Sequence, residues 1–593
     1  MRRADGGILA LSRGRHLAGL RLDRSVAVVG TCFAETIVEA PTPSDTLGTV
    51  ELVAAGSVVV RDLTITGPRP GLIARGTGAD PYLVQSVLVS SATGYGIKAE
   101  APQPTMLAQV GVFDTQPFAD GSFGLGVAAS LGAVVEADRL ALRASRTLGV
   151  LVTGAGSRVA LRDSRVGATL PQESDNRFGR GVNVGSGGRF EAAATVVEGN
   201  SSTGLFAIDA GSSLSATHLV VRGTLADART GDFGRGIEVD TEATLDCTGC
   251  VIEGNHDAGL VVDDSAQARL QQTVVADNLP RTSDGRFGRG IMVQGGARVE
   301  ASGLLVTGHS DLALYLSDTG SEAILADARV EGTTLALDRL VSIQAEAVAD
   351  LQRVVVQGDA TVSVYVGTGA AVSASDLQIA GSGTALLATS ARLLEVSGGG
   401  SFVGARLALF AAAANGLLVS EPSSTAVLRD ARFSTSSPTT SGRAIEVNLG
   451  GRATLERTLV DGFADAGAAV FTGGSSLVIR DAVISAVAGL AAPARGTGHA
   501  LAAYDGASLE ASRIVLRDAG GACLRVAGTG VVFDLDTVAF RRCFVGVNLE
   551  VPELSSDQLG EHLRNEQFAE NGEDVASRTF AIPEPTTTLD PAP

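Results

Sequence analysis

The sequence predicts an all-β solenoid, and three observations support that fold class. Hydrophobic residues make up 45% of the 593-residue chain, yet aromatic residues reach only 4% and Gly occupies 74 positions. Short runs of alternating apolar and polar residues, typical of strands with one buried face, recur throughout. Gly, Ser, Thr, Asn and Asp separate the runs at a regular period, which indicates stacked repeats.

The repeat is marked by four segments spaced 55, 55 and 54 residues apart: Phe123-Gly-Leu-Gly126, Phe178-Gly-Arg-Gly181, Phe233-Gly-Arg-Gly236 and Phe287-Gly-Arg-Gly290. An alternating triplet follows each segment, and similar starts lie midway between them. Short steps of 23 or 24 residues alternate with long steps of 27–33 residues from Gly126 to Ala500. The chain has about 21 such starts: Ser25, Gly48, Gly71, Gly96, Gly126, Gly149, Gly181, Leu205, Gly236, Gly259, Gly290, Ala313, Leu340, Ser363, Leu393, Gly416, Ala444, Gly467, Ala500, Cys523 and Gly546.

A unit of about 23 residues is too short to bury its own core, so the units must stack. Each holds two or three strand-like runs, and one face of every run points inward. The predicted architecture is a parallel β-helix over 25–551, one continuous domain, after an incomplete coil at 1–24. We expect a C-terminal cap at 552–582, with an amphipathic helix at 555–571, and a disordered Pro/Thr tail at 583–593.

These features resemble the right-handed parallel β-helix (pectin lyase-like) superfamily. The Gly-Ile/Val-x-Val starts and the Glu198-Gly-Asn200 and Glu253-Gly-Asn255 ends carry the resemblance, which covers roughly residues 17–550. The superfamily includes pectate lyases, polygalacturonases, tailspikes and uncharacterised bacterial secreted or surface repeat proteins. The resemblance implies the architecture and an exported protein, but it leaves the activity open.

The family's catalytic motifs are mostly missing. Asp263-Asp264 is a carboxylate pair, but the chain has no Asn-Thr-Asp, and its single Lys98 excludes Arg-x-Lys. Gly308-His309-Ser310 and Gly498-His499-Ala500 lack the second Gly of a Gly-His-Gly motif. The absence of Trp, with only five Tyr, argues against a long sugar groove built on aromatic platforms. We predict no catalytic residues; a polysaccharide-active enzyme, a lyase before a hydrolase, is the alternative.

Charge, cysteines and chain ends limit the remaining partners. A net charge of −19 makes nucleic acid an unsuitable partner. The longest apolar stretch, 407–419, is too short for a membrane helix. Cys247 and Cys250 lack the further ligands of a zinc site, so we predict no metal or cofactor. Residues 1–7 contain no signal peptide, yet strand-like alternation begins almost at once, so we expect the natural start upstream of Met1.

The alternating long steps place an insert before every second start. The inserts are 116–125, 168–180, 223–235, 278–289, 332–339, 381–392, 434–443 and 489–499, and stacking brings them to one edge. Six consecutive inserts end in arginine: Arg180, Arg235, Arg289, Arg339, Arg392 and Arg443.

Two hypotheses explain the arginines. Each arginine closes its own loop, pairing with an insert carboxylate such as Asp175, Asp232 or Asp284. Alternatively, the six guanidinium groups bind a repetitive anionic polysaccharide or glycolipid. The sequence favours the first hypothesis. It predicts a non-enzymatic extracellular or cell-surface rod with a structural or adhesive role, for which this edge is the candidate binding site.

Overall fold

The computed structural model describes residues 6–332, 337–358, 360–381, 391–411, 415–435, 442–485, 487–488, 497–552, 554 and 558–588. The chain forms two compact units, 1–300 and 301–593. Strands dominate both units, and the only α-helix in the described ranges is Leu559–His562. No helix among those residues is long and apolar enough to cross a membrane.

Each coil consists of up to three strands, which we call first, second and third. In one coil these are Arg235–Val239, Thr244–Thr248 and Val251–Glu253. Each strand pairs in parallel with its counterparts in adjacent coils. The chain returns to the first-strand sheet through parallel crossovers, whose right hand follows from the twist of the strands. The fold is the right-handed parallel β-helix that the repeat predicts.

In unit 1 the first strands are Leu20–Leu22, Val50–Leu52, Leu72–Ala74, Tyr95–Ala99, Leu125–Ala129, Leu148–Thr153, Arg180–Gly185, Thr203–Ala207, Arg235–Val239, Ala258–Val262 and Arg289–Val293. The second and third strands, some of them merged, are Gly7–Ala10, Gly14–Leu17, Val26–Val29, Thr36–Glu39, Val58–Thr66, Tyr82–Ser90, Thr105–Ala108, Gly111–Phe113, Val134–Asp138, Ala141–Arg143, Arg158–Arg162, Arg165–Gly167, Arg189–Ala193, Val196–Glu198, Ser213–Thr217, Val220–Arg222, Thr244–Thr248, Val251–Glu253, Gln267–Gln271, Val274–Ala276 and Arg298–Ser302, the last of which contains the unit boundary.

In unit 2 the first strands are Leu314–Leu316, Leu337–Ile343, Ala360–Val366, Arg392–Val396, Asn415–Ser420, Arg443–Asn448, Ala466–Val470, His499–Tyr504, Ala522–Ala527, Val545–Glu550 and Glu573–Ala576. The other strands are Leu305–Thr307, Glu322–Ala326, Arg329–Glu331, Val348–Gln352, Val355–Gln357, Ala371–Ser375, Gln378–Ala380, Ser401–Ala411, Thr425–Thr435, Arg452–Glu456, Leu459–Asp461, Ser476–Ser485, Ser508–Arg517, Val532–Arg541, Leu563–Arg564 and Gln567–Ala569.

The core of unit 1 is built from aliphatic columns that run from coil to coil. Val182, Leu205 and Ile237 are register partners in successive first strands, and each is at most 1% exposed. This confirms the prediction that the alternating residues after each start point inward: Val182, Val184, Ile237, Val239, Ile291 and Val293. Such stacking removes apolar surface from water without large aromatic side chains.

Gly236 shows why many starts are glycine. A Cβ atom at this position would lie 2.6 Å from the carbonyl oxygen of Gly259 in the next coil. The backbones of adjacent coils therefore approach too closely for a side chain at this position. Every predicted start except Ser25 lies in or beside a first strand; Ser25 instead precedes the second strand Val26–Val29. The alternating pattern alone does not distinguish the two strand types.

The C-terminal region differs from its prediction in two ways. The helix predicted over 555–571 is limited to Leu559–His562, and residues 555–557 lie outside the described ones. Strands Leu563–Arg564 and Gln567–Ala569 follow it, because pairing with Val532–Arg541 satisfies their backbone groups. Residues 583–588 of the predicted disordered tail pack on the first strands of unit 2, whereas 589–593 lie outside the described residues.

Candidate functional site

The six predicted arginines occupy related places in their coils. Five begin a first strand, and the sixth lies two residues inside one. Four are buried, namely Arg289, Arg339, Arg392 and Arg443, and two are half-buried, namely Arg180 and Arg235. Binding of a polymer by these six groups would require solvent-facing guanidinium groups, a geometry that this burial does not provide.

Arg235 shows how such a side chain is held in unit 1. Its Nη1 donates to Glu238 Oε1 at 2.6 Å, and its Nε donates to Asp257 Oδ2 at 3.0 Å. Its guanidinium carbon lies 4.9 Å from the centre of the Phe233 ring. Burial lowers the pKa of Arg235, but the two carboxylates outweigh burial and raise the pKa above its ordinary value. The charged group joins adjacent coils through strong hydrogen bonds.

Arg443 repeats this arrangement in unit 2. It donates to Glu446 Oε2 at 2.9 Å and to Asp465 Oδ2 at 2.6 Å, and it lies 4.8 Å from the centre of the Phe471 ring. Burial again lowers the pKa, and the two carboxylates raise it to above the ordinary value. In both clusters the Glu follows the Arg by three residues and the Asp by 22. This spacing of Glu and Asp after the Arg is a sequence signal for the cluster that the sequence analysis did not include.

Arg180 has an amide where the two clusters have a carboxylate. Its Nη1 donates to Asn183 Oδ1 at 2.7 Å, and its guanidinium carbon lies 3.9 Å from the centre of the Phe206 ring. Burial therefore dominates and lowers the pKa of Arg180. The other three arginines also have partners. The guanidinium carbons of Arg289 and Arg339 lie 4.4 Å and 3.9 Å from the ring centres of Phe287 and Tyr365, and Arg392 Nη1 lies 3.1 Å from Glu395 Oε2.

The loop carboxylates predicted to pair with the arginines have other partners. Asp175 accepts from the Arg177 amide at 3.1 Å, and Asp232 accepts from Ser283 Oγ at 2.6 Å. Asp284 binds Arg281 through two hydrogen bonds of 2.8 Å, which lower the Asp284 pKa to about 2. The predicted pairs are wrong because the loop acids satisfy polar groups of the loops, while the arginines turn toward the strands.

The long inserts of unit 1 contact one another in pairs. Insert 168–180 donates from Ser174 N to Gly121 O of insert 116–125 at 3.1 Å. Likewise, insert 278–289 donates from Ser283 N to Gly231 O of insert 223–235 at 3.0 Å. The predicted edge of stacked loops is therefore present in unit 1. The tips of the last four inserts lie outside the described residues.

An open groove lies at the base of these loops, on the outer side of the third strands of unit 1. It encloses about 780 Å³ and begins beside Phe113. Its floor is made of small residues at the ends of successive third strands and the turns after them: Gly167, Ala168, Gly199, Gly223 and Gly254. We call it the Arg–Glu groove, after its charged lining residues Arg143, Arg165, Glu198, Arg222, Glu253 and Asp277.

The Arg–Glu groove contains three arginines and three carboxylates, which follow one another along the stack in the order Arg143, Arg165, Glu198, Arg222, Glu253 and Asp277. Glu198 is bound by Arg165 from the preceding coil and by Arg222 from the following coil, the latter at 2.8 Å. Arg143 is exposed and forms no ion pair with a described residue. Arg165 and Arg222 also remain largely exposed, with side chains 69% and 50% accessible. The groove thus presents three arginine side chains to solvent, although the chain as a whole is acidic.

Two disulfides connect four of the five cysteines. Cys247 and Cys250 are bonded within one coil, and Cys523 and Cys543 are bonded across neighbouring coils with Cα atoms 5.6 Å apart. The bond consumes the thiols of the CxxC motif. No group of three or more His, Cys, Asp or Glu residues in the described part of the chain is arranged to hold a metal ion.

Asp263 and His499, which belong to segments that partly match catalytic motifs, have structural partners. Asp263 accepts from Gln294 Nε2 at 2.7 Å and from the Asp264 amide at 2.8 Å. His499 is buried, and its Nδ1 accepts from the Ala522 amide at 3.0 Å. These contacts assign Asp263 and His499 to turns and strand ends; the absence of a catalytic residue stays a prediction.

No protein-family model and no curated protein sequence matches the chain. Among solved structures, the Dettilon tailspike protein gp208 is 11% identical, with 60% of this chain and 62% of that chain covered and a TM-score of 0.35. Pectate lyase Pel9A is 11% identical, with 48% and 68% covered and a TM-score of 0.30. PL6 family alginate lyase AlyGC is 10% identical, with 96% and 98% covered and a TM-score of 0.23. Such distant likenesses bear on neither site nor activity. The pairing of its own strands makes this chain a right-handed parallel β-helix protein.

Proposed function

We propose that the protein is a non-enzymatic extracellular or cell-surface β-helix that binds an anionic polysaccharide along the loop-bearing edge of unit 1. The observation that carries the proposal is the Arg–Glu groove. It is open, runs along the stack and presents Arg143, Arg165 and Arg222 to solvent. A linear polymer with repeated carboxylate or sulfate groups matches guanidinium groups repeated along a rigid sheet.

The rigidity of the stack supports this proposal. The third strands under the groove pair in parallel from Gly111–Phe113 to Val274–Ala276. Arg143 and Arg222 lie in one column three coils apart, about 14 Å at 4.8 Å per coil, and Arg165 lies between them, two residues away along its strand. Preorganised donors lose little entropy when they bind. The six arginines of the sequence hypothesis contribute by packing the first strands, whereas the exposed groove arginines make the contact with the polymer.

The two disulfides support the proposed location. Disulfides persist in oxidising environments such as the extracellular space and the bacterial periplasm. Their presence in both units agrees with an exported protein. Mass spectrometry of the native protein with and without reduction tests this part: free thiols at all four cysteines would count against export.

The binding test compares the chain with a triple variant, Arg143→Ala, Arg165→Ala and Arg222→Ala, on polyuronate, sulfated and neutral polysaccharides. We expect saturable binding to an anionic polymer, weakened by salt and largely lost in the triple variant. A triple variant of unit 2, Arg353→Ala, Arg406→Ala and Arg457→Ala, removes three similarly exposed arginines and should bind normally.

Two results would contradict the proposal. Equal binding by both triple variants would place the polymer elsewhere, and no binding to any anionic polymer would remove the function. Accumulation of unsaturated uronate products in the same reactions would instead identify the polysaccharide lyase alternative.

A further inference from the structure

The C-terminal residues 577–588, which we call the strap, lie along the outer face of the first strands of unit 2. The strap begins directly after the last first strand, Glu573–Ala576. It contacts residues of the first strands from Val545–Glu550 back to Arg392–Val396. Six coil steps of about 4.8 Å give roughly 29 Å, which is close to the extended reach of about 30 Å for the nine residue steps from Arg578 to Thr587. The strap is therefore an extended segment that crosses successive coils.

The face beneath the strap recognises main-chain atoms. Asn548 accepts from Arg578 N at 2.9 Å and donates to Arg578 O at 3.0 Å. Arg525 donates to the carbonyl oxygens of Phe580 at 2.7 Å and Ala581 at 3.0 Å. Glu550 accepts from Phe580 N at 3.0 Å. Side chains of unit 2 thus satisfy a peptide backbone much as a strand edge would.

The same mode continues toward the end of the strap. Arg443 donates to Glu584 O at 2.8 Å, and Asn448 donates to Thr586 O at 3.0 Å. Glu446 accepts from both Thr586 N and Thr586 Oγ1 at 2.6 Å, and Arg392 donates to Thr587 O. None of these bonds requires a backbone N–H at Pro583 or Pro585, because proline has none.

The burial of the two partners is unequal. With the strap in place, the first-strand residues that hold it are buried, except for the half-buried Glu550, whereas no residue of the strap is buried and about half of its residues are exposed. Arg392 Nε and Asn448 Oδ1 are also buried without a hydrogen-bond partner among the described residues. A polar face that is incompletely satisfied, covered by a segment with little buried surface, can be occupied by another segment of the same chemistry.

We propose that this face of unit 2 is a binding groove for an extended, proline-containing peptide, that the strap is its ligand within one molecule, and that the strap of a second copy is its ligand between molecules. An aromatic residue beside Arg525, followed by Pro-x-Pro-Thr, is the chemistry the groove recognises; the guanidinium carbon lies 5.4 Å from the Phe580 ring centre. A second copy of the chain supplies the same segment. When the C-terminal ends of two molecules face each other, the strap of one molecule enters the groove of the other in the same chain direction as that molecule's own strap.

The first experiment frees the groove in the folded full-length chain. A protease recognition sequence is inserted between Ala576 and Ser577 and cut after folding, and a labelled peptide of residues 577–588 is added. We expect saturable one-to-one binding to the cut protein and much weaker binding to the uncut protein. Asn548→Ala in the groove should weaken peptide binding, as should Phe580→Ala in the peptide, whereas Asn183→Ala in unit 1 should not.

Arg525→Ala tests the central contact. It should weaken peptide binding by at least about 30-fold, because the half-buried Glu550 carboxylate loses its partner as well. If that variant fails to fold, Asn548→Ala and the Phe580→Ala peptide provide the same test. Equal binding of the peptide to cut and uncut protein, or none to either, would overturn the groove.

The second experiment tests exchange between molecules. Two full-length preparations of different mass are mixed at high concentration, and native mass spectrometry follows the appearance of mixed dimers. Mixed dimers that disappear with Asn548→Ala support exchange of the strap. Monomers alone at every concentration, or dimers insensitive to that variant, would overturn the intermolecular part.

Discussion

The Arg235 cluster of unit 1 and the Arg443 cluster of unit 2 have the same local design but different surroundings. Each arginine binds a Glu three residues later and an Asp 22 residues later. The Arg235 side chain remains 20% exposed, whereas that of Arg443 is 8% exposed and also donates to Glu584 O in the strap. The repeat therefore creates the ion pairs, and a distant segment decides how deeply they are buried.

This difference changes what the ion pairs contribute. A buried pair gains little net stability over an apolar alternative, but loss of one partner leaves an unpaired charge in a medium of low polarity. Glu446 is fully buried and accepts two hydrogen bonds from Thr586 of the strap, whereas Glu238 accepts one from Thr203 of the preceding coil. The predictions below test where the two clusters behave alike and where they differ.

The largest effect should come from the apolar core of each unit. Ile237→Asp and Ile445→Asp each place an unpaired carboxylate in a column that is 0% exposed. We expect each to lower the free energy of unfolding by more than about 4 kcal/mol, or to prevent folding. Circular dichroism during thermal unfolding measures the loss. A near-normal melt for either variant would contradict the column structure.

Removal of one carboxylate should destabilise the protein more at the Arg443 cluster than at the Arg235 cluster. Glu446→Ala should lower the free energy of unfolding by about 3–5 kcal/mol, because it removes one of the two carboxylates that hold Arg443 and leaves Thr586 without its acceptor. Glu238→Ala should cost about 1–3 kcal/mol, since water still reaches Arg235. Urea unfolding with hydrogen exchange resolved by segment compares them. Equal losses would mean that the strap does not matter to the cluster.

The distance between the backbones of adjacent coils can be compared at the residue that follows each arginine, Gly236 after Arg235 and Ala444 after Arg443. Gly236→Ala should lower the free energy of unfolding by about 1–3 kcal/mol, because its Cβ would lie 2.6 Å from Gly259 O. The equivalent position in unit 2 is already Ala444, and Ala444→Gly should cost only about 0.5–1 kcal/mol. Thermal unfolding of the two variants suffices as a measurement. A harmless Gly236→Ala would show that coils in unit 1 are spaced as in unit 2.

Acid should have the smallest effect, confined to exposed pairs. Arg281 lowers the Asp284 pKa from 3.8 to about 2, so this pair contributes fully above pH 4 and is lost as the pH falls toward 2. Arg457 lowers the Asp430 pKa in unit 2 in the same direction. The protection of the amides in loop 281–286, measured relative to their intrinsic exchange rate at each pH, should fall between pH 5 and 2 in the native chain. Asp284→Asn should remove that pH dependence; an unchanged profile would count against the pair.

Sequence patterns predicted the fold more completely than the site. Alternation at Val182, Val184, Ile237 and Val239 fixed which faces are inside, because a strand has only two faces. The spacing of the inserts predicted the stacked loops of unit 1. The partners of the arginines were wrong, because Glu238 lies in the strand after the insert and Asp257 near the next start. The Arg–Glu groove went unnoticed because its residues are one or more coils apart.

The sequence by itself determined the repeat, the columns of the core and the arginine at the base of each long loop. All of these follow from contacts at fixed spacing, within one coil or between neighbours. Only the tertiary structure decided that the carboxyl-terminal Pro/Thr segment is held against strands more than a hundred residues earlier. Backbone groups of an extended segment can bond to any suitably placed Arg, Asn or Glu, so its own sequence carries no mark of which ones it meets.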